Sequence, residues 1–160
     1  MNDTITRAVG RRNVPEDIRA LEAAPDADYV DVFTLATDAV ATPERWARLM
    51  FGNVPSAAER FIWRGLLDLR LSRGRSADTV AGWRIVRRGD DLVQLETRSW
   101  FLTATLLVTT TDGHATLSTF LRYDRRLGAL VWPPLSAVHR SLVPGLLRGA
   151  AARIASGGSR

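Results

Sequence analysis

The chain has 160 residues, 22 Arg with no Lys, 17 acids and no Cys. A chain of this length can bury, in one core, roughly 70% of the surface it exposes when unfolded, and the absence of Cys excludes disulfides, thiolate metal sites and cysteine nucleophiles. No apolar run reaches the roughly 18 residues of a spanning helix, and Met1 to Arg12 lacks the apolar stretch of a signal peptide, so the expectation is a soluble cytoplasmic protein with no membrane partner.

In chain order, Met1 to about Asn13 reads as a poorly ordered start, followed by a single domain over residues 14–155 and a short flexible end from Ser156 to Arg160. Tyr29 to Leu35 alternates well enough for an opening strand. Thr42-Pro43-Glu44 combines a cap, a first-turn proline and a first-turn acid, and predicts a short helix carrying Trp46, Leu49 and Met50. Ser56 and Glu59 form a capping-box pair before a second helix through Phe61, Ile62, Leu66 and Leu69. Ser72 to Gly82, rich in Ser, Gly and Asp, reads as a loop.

Four strands follow. Trp83 to Arg88 and Leu92 to Ser99 flank the turn cluster Gly89-Asp90-Asp91, and Phe101 to Thr111 and His114 to Asp124 flank Asp112-Gly113, a hairpin signal. Pairing outward from Asp112-Gly113 puts Leu102, Ala104, Leu106 and Val108 on one face with Leu117, Thr119, Leu121 and Tyr123. The opposite face, with Thr103, Thr105, Thr109, Thr116, Ser118 and Arg122, is expected to be largely wet. Leu107 and Phe120 interrupt that polar face, which implies cover by another segment or a partner surface.

Asp124 to Gly128 reads as a turn and Ala129 to Trp132 as a last short strand or its stub, which Pro133 and Pro134 terminate. A helix is then predicted from Pro134 to about Ala155, with an apolar stripe of Leu135, Val138, Leu142, Leu146 and Ala150, flanked by His139, Val143 and Ile154. Pro144 lies inside it and is expected to bend it, although two shorter helices fit the pattern too. The order of elements makes the fold class α+β.

The net charge of +5 resides in the last third, where residues 122–160 hold seven Arg against one Asp. No stacking aromatics are interleaved with these arginines and no zinc-finger or RNP pattern occurs. A solvated helix face is therefore preferred to a nucleic-acid surface. No phosphate loop, metal-ligand cluster or nucleophile constellation is present, so neither cofactor nor metal is expected.

The element order, together with Asp28-Tyr29-Val30-Asp31, Thr42-Pro43-Glu44-Arg45-Trp46 and the segment from Trp132 to Arg140, resembles the START-like and pollen-allergen-like helix-grip superfamily (SRPBCC), and more narrowly a bacterial domain-of-unknown-function branch of it. The resemblance covers about Pro15 to Ile154, and Pro144-Gly145 departs from it. It implies a strand, two short helices, and a curved antiparallel sheet around a long C-terminal helix. It also implies a cavity between sheet and helix that holds an apolar small molecule. Some members of the superfamily are cofactor-free cyclases or dehydratases acting on polyketide-like substrates, and others only carry or sense a ligand. Fold does not decide between these.

Few polar residues are aimed into such a cavity. His139 falls beside the helix stripe and fits either an acid–base role or a buried structural hydrogen bond, with the structural role favoured because the sequence dictates no nearby acid. Tyr123 and Thr119 share the apolar sheet face, where a phenol and a hydroxyl can orient a ligand carbonyl; Tyr123 joins His139 as a catalytic candidate. Trp132 is placed at the cavity mouth, and Leu106, Leu121 and Tyr29 complete the candidate lining. Asp28 and Asp31 fall on opposite faces of their strand and form no carboxylate pair. The competing reading is a noncatalytic association module that forms a homodimer or docks a partner through Leu107 and Phe120.

Overall fold

The computed structural model of the chain describes residues 4–52 and 77–157. The second helix expected after the Ser56–Glu59 capping box, through Phe61, Ile62, Leu66 and Leu69, lies outside the described residues. Seven strands form one antiparallel sheet: β1 (Ile5–Val9), β2 (Tyr29–Ala36), β3 (Thr79–Val80), β4 (Trp83–Arg88), β5 (Leu92–Arg98), β6 (Leu102–Thr111) and β7 (His114–Tyr123), in the spatial order β1-β2-β7-β6-β5-β4-β3. A short helix α1 (Glu16–Arg19) precedes β2, α2 (Pro43–Phe51) follows it, and the long α3 (Arg126–Gly157) closes the chain. The fold is α+β, a curved sheet gripping a C-terminal helix.

The central hairpin has the register that the sequence predicts. Leu102 lies opposite Tyr123, Ala104 opposite Leu121, Leu106 opposite Thr119 and Val108 opposite Leu117. Gly113 turns the chain at φ +79, a conformation a side chain resists. The cap of α2 is also as expected, since the Thr42 hydroxyl accepts the backbone N–H of Arg45 at 3.2 Å. This helix buries Trp46, Ala47, Met50 and Phe51 against the sheet.

Three expectations fail at the edges. The start read as poorly ordered contains β1, which pairs with β2 from Ile5–Leu35 to Val9–Asp31. The loop assigned up to Gly82 contains β3 and a tight turn in which Ala81 (φ 52) and Gly82 (φ 89) both take positive φ; neither edge strand is long enough to announce itself by alternation. Finally, α3 begins at Arg126, so Ala129 to Trp132 is helix and not strand, and Pro133 and Pro134 are inside it. Each proline removes one N–H, and the carbonyls thereby released belong to Ala129 and to Leu130, a residue 73% exposed, where water can serve them. Pro144 does not end the helix.

The buried stripe of α3 is also rotated from the expected one. Trp132, Ser136, Val143, Leu147, Ala150, Ala151 and Ile154 are buried, while Val138 and Leu142 are about half exposed, at 45% and 48%. Both stripes are apolar, so hydrophobic periodicity alone leaves the phase open. The buried side is the one that also carries the polar contacts from α3 to β2.

The sheet face away from α3 is drier than expected. Thr105, Thr116 and Ser118 are buried, and Leu107 and Phe120 form a second core with Ile18, Ala27, Val30 and Val32. The cover is the chain between β1 and β2. It is pinned where Arg87 donates to the Leu21 carbonyl at 2.8 Å and Gln94 to that of Ala23 at 3.1 Å. Leu107 and Phe120 therefore offer no exposed patch for a partner. Among the described residues no helix is long and apolar enough to cross a membrane.

Candidate functional site

β2 alternates strictly between the two faces. Tyr29, Asp31, Phe33 and Leu35 point toward α3, and of these Asp31 is the anomaly, a carboxylate with no exposed surface. Its cross-strand partner on β7 is Thr119, whose own partner on β6 is Leu106. One step along, Tyr29 lies beside Leu121. Above these rows α3 presents Trp132, Ser136, His139 and Arg140, whose three- and four-residue spacings put them on one side of the helix.

The polar atoms interlock. The Tyr29 hydroxyl donates to Asp31 Oδ2 at 2.6 Å, and His139 Nε2 lies 3.1 Å from the same oxygen, off the line of a well-formed hydrogen bond. Arg140 Nη1 donates to the Tyr29 hydroxyl at 3.3 Å and to Ser136 Oγ at 2.9 Å, and Ser136 in turn donates to the Pro133 carbonyl at 2.6 Å. The Trp132 ring meets Tyr29 edge-on at 5.3 Å and tilts over His139 at 5.5 Å. Burial, then the charge of Asp31 and the hydrogen bond to it, push the Tyr29 phenol well above its usual range, against a smaller opposing pull from Arg140. Tyr29 is thus a permanent donor at neutral pH, which helps a buried carboxylate bear its charge.

Protein groups do not satisfy everything here. Asp31 Oδ1, Thr119 Oγ1, Trp132 Nε1 and His139 Nε2 are all buried without a hydrogen-bond partner. An atom left without any partner costs about 1 to 3 kcal/mol; His139 Nε2 keeps its 3.1 Å contact with Asp31 Oδ2, and the other three lie on the same patch of the inner face. The edge of the patch is open to solvent, because the His139 side chain remains 21% exposed.

Of the residues proposed from sequence, Tyr29, Leu106, Thr119, Leu121, Trp132 and His139 come together. Trp132 is buried, at 3% exposure, and not at a rim. Tyr123 is separate. It lies four residues along β7 from Thr119, roughly 13 Å away, where its ring packs close to Gly128 and its backbone N–H donates to Asp28 at 2.7 Å. From sequence, Asp31 figures only as half of a rejected carboxylate pair with Asp28, and Ser136 and Arg140 have no site role. The available signal for Asp31 was an acid at an inward position of an otherwise apolar strand, but pairing it with His139 requires knowing that α3 crosses β2.

Other features lie elsewhere. An open cleft of about 800 Å³ occupies the outer sheet face and one of about 390 Å³ adjoins the Asp112-Gly113 turn; the Asp31 cluster lines neither. Several arginines of the last third are engaged within the chain, Arg122 with Asp26 and Asp124, Arg125 with the Trp100 carbonyl, and Arg153 with the Leu49 carbonyl, which leaves them less available to a phosphate backbone. Among the described residues no group of three or more His, Asp or Glu is arranged to hold a metal ion. No protein-family model matches the chain, and no curated protein matches it.

Proposed function

We propose that this protein binds an apolar small molecule bearing one hydroxyl group between the sheet and α3, and that Asp31 with its neighbours reads that polar group. The observation that carries the reading is that Asp31 Oδ1, Thr119 Oγ1 and Trp132 Nε1, buried without a protein hydrogen-bond partner, lie together beside the His139–Asp31 contact. A ligand hydroxyl donating to Asp31 Oδ1 and accepting from Trp132 Nε1 or Thr119 Oγ1 would give two of these atoms a partner. Leu106 and Leu121 supply apolar wall, and the resemblance to the helix-grip superfamily, whose members hold such molecules between sheet and helix, supports the same place. His139 beside a buried carboxylate also forms an acid–base pair suited to cofactor-free proton transfer, with Tyr29 holding Asp31 in position.

Native mass spectrometry of protein purified from its own host, followed by titration of the recovered compound, tests this. Asp31→Asn and Trp132→Phe are expected to weaken its binding about 10- to 100-fold, the loss of one or two buried hydrogen bonds. Wild-type affinity in both variants would remove the reading. If the compound is turned over, His139→Gln should abolish turnover while retaining binding.

A further inference from the structure

We propose that the cleft on the outer sheet face is a second, independent site, for a free single-chain amphiphile with an anionic head. Its floor is apolar and belongs to the outer core, with Ile18, Val30 and Phe120 exposed by only 4%, 3% and 6%. Its rim is cationic, since Arg11, Arg12 and Arg19 line it against the single acid Glu22. Arg19 is already committed, donating to the Arg11 carbonyl at 3.1 Å and standing 3.8 Å from Glu16. Among the described residues no ion pair involves Arg11 or Arg12, which the turn Arg11–Asn13 carries on the rim.

A volume of about 800 Å³ lies in the range of small-ligand sites. An aliphatic chain would lie against Val14, Ala23 and Ala24, which are partly exposed beside that floor, and a carboxylate or phosphate head would meet two guanidiniums suited to bidentate contact. A neutral alcohol of the same length lacks the second contact, and a cationic surfactant is repelled. The charge imbalance of the rim beside an apolar floor favours an anionic amphiphile.

The test is titration of the full chain with dodecanoate, dodecyl phosphate, dodecanol and dodecyltrimethylammonium, followed by amide chemical-shift mapping. Dodecanoate and dodecyl phosphate are expected to bind, with the largest shifts at Ala27, Val30 and Phe120. Arg11→Glu with Arg12→Glu, both on exposed residues, should weaken binding about tenfold at low salt, an effect that fades at high salt. Ala24→Trp, which fills the cleft, should remove binding altogether. No binding, equal binding of all four probes, or affinity unchanged in both variants would overturn the proposal. So would association with anionic lipid vesicles in the absence of cleft shifts from free dodecanoate, which would assign the arginines to a membrane surface. Shifts confined to Thr119 and His139 would also overturn it while supporting the inner site, so the two proposals fail separately.

Discussion

The two faces of the sheet are covered by different kinds of chain, and the difference explains what each can do. The inner face takes α2 and α3, long regular elements, and buries a continuous apolar core that runs from Phe33 to Ile154. It also holds one carboxylate under that helix. The outer face is covered by a mostly irregular segment that includes the short helix α1, and among the described residues its core has six buried residues. Regular cover holds a polar cluster beneath α3, whereas irregular cover leaves a cleft at its margin.

The largest expected effect follows from removing one phenyl ring on each side. Phe33, 1% exposed, sits in the inner core, and Phe120, 6% exposed, in the outer one. Phe33→Ala should cost about 3 to 5 kcal/mol, while Phe120→Ala should cost about 2 because the short cover can settle into the gap. Urea unfolding of both variants checks this. Equal losses would mean that the outer cover is as rigid as the inner one.

A middle-sized effect separates the buried cluster from the rest by pH. Tyr29 is raised by burial and by Asp31, and Tyr123 by burial and by the charge of Asp28. A phenol raised in the folded state stays protonated while its unfolded counterpart ionises, so the unfolded chain binds fewer protons and stability falls as pH rises above about 10. The contribution is fully present below that pH. Tyr29→Phe should reduce the alkaline slope by up to one proton, leaving the part due to Tyr123, and should cost about 1 kcal/mol at pH 7 through the lost hydrogen bond to Asp31. Stability measured from pH 8 to 11 gives the answer, and an unchanged slope would show that Tyr29 titrates normally.

Legibility in the sequence followed the same division. The inner face was readable because β6 and β7 alternate around Asp112-Gly113, so Thr119, Leu106 and Leu121 could be placed on it from local pattern alone. His139 was readable as inward-facing by helical spacing. Its partner was not, because Asp31 and His139 are 108 positions apart and their contact depends on where α3 crosses the sheet. The phase of α3 misled for the same reason. Val138 and Leu142 are as apolar as Val143 and Leu147, and the buried set lies on the side of α3 from which Arg140 and His139 reach Tyr29 and Asp31 of β2. On the outer face, Leu107 and Phe120 signalled cover, but residues 14–27 have no periodicity that names them as its source. The start of α3 was hidden by Pro133-Pro134, which lies early in a helix whose freed carbonyls reach water.

The smallest effect concerns the link between the two faces' covers and the strand they share. Arg122, on β7, reaches Asp26 of the outer cover at 3.0 Å and Asp124 at 2.7 Å, and Asp124 accepts the Thr103 hydroxyl at 2.7 Å. Burial pushes the Asp124 carboxyl up, but the bonds from Thr103 and Arg122 outweigh it and hold the group below the ordinary carboxylate range. A carboxyl lowered in the folded state stabilises above its unfolded pKa and loses that contribution as pH falls through the folded one, so the link weakens below about pH 4. These side chains are partly exposed, and such pairs contribute about 0 to 1 kcal/mol and are screened by salt. Asp26→Ala should therefore lower stability by less than about 1 kcal/mol at low ionic strength and by almost nothing in 1 M salt. Wild type and variant compared at both salt concentrations decide the matter. A loss that persists in high salt would mean that Asp26 anchors the outer cover by more than charge, and would remove the contrast between a rigid inner cover and a loosely held outer one.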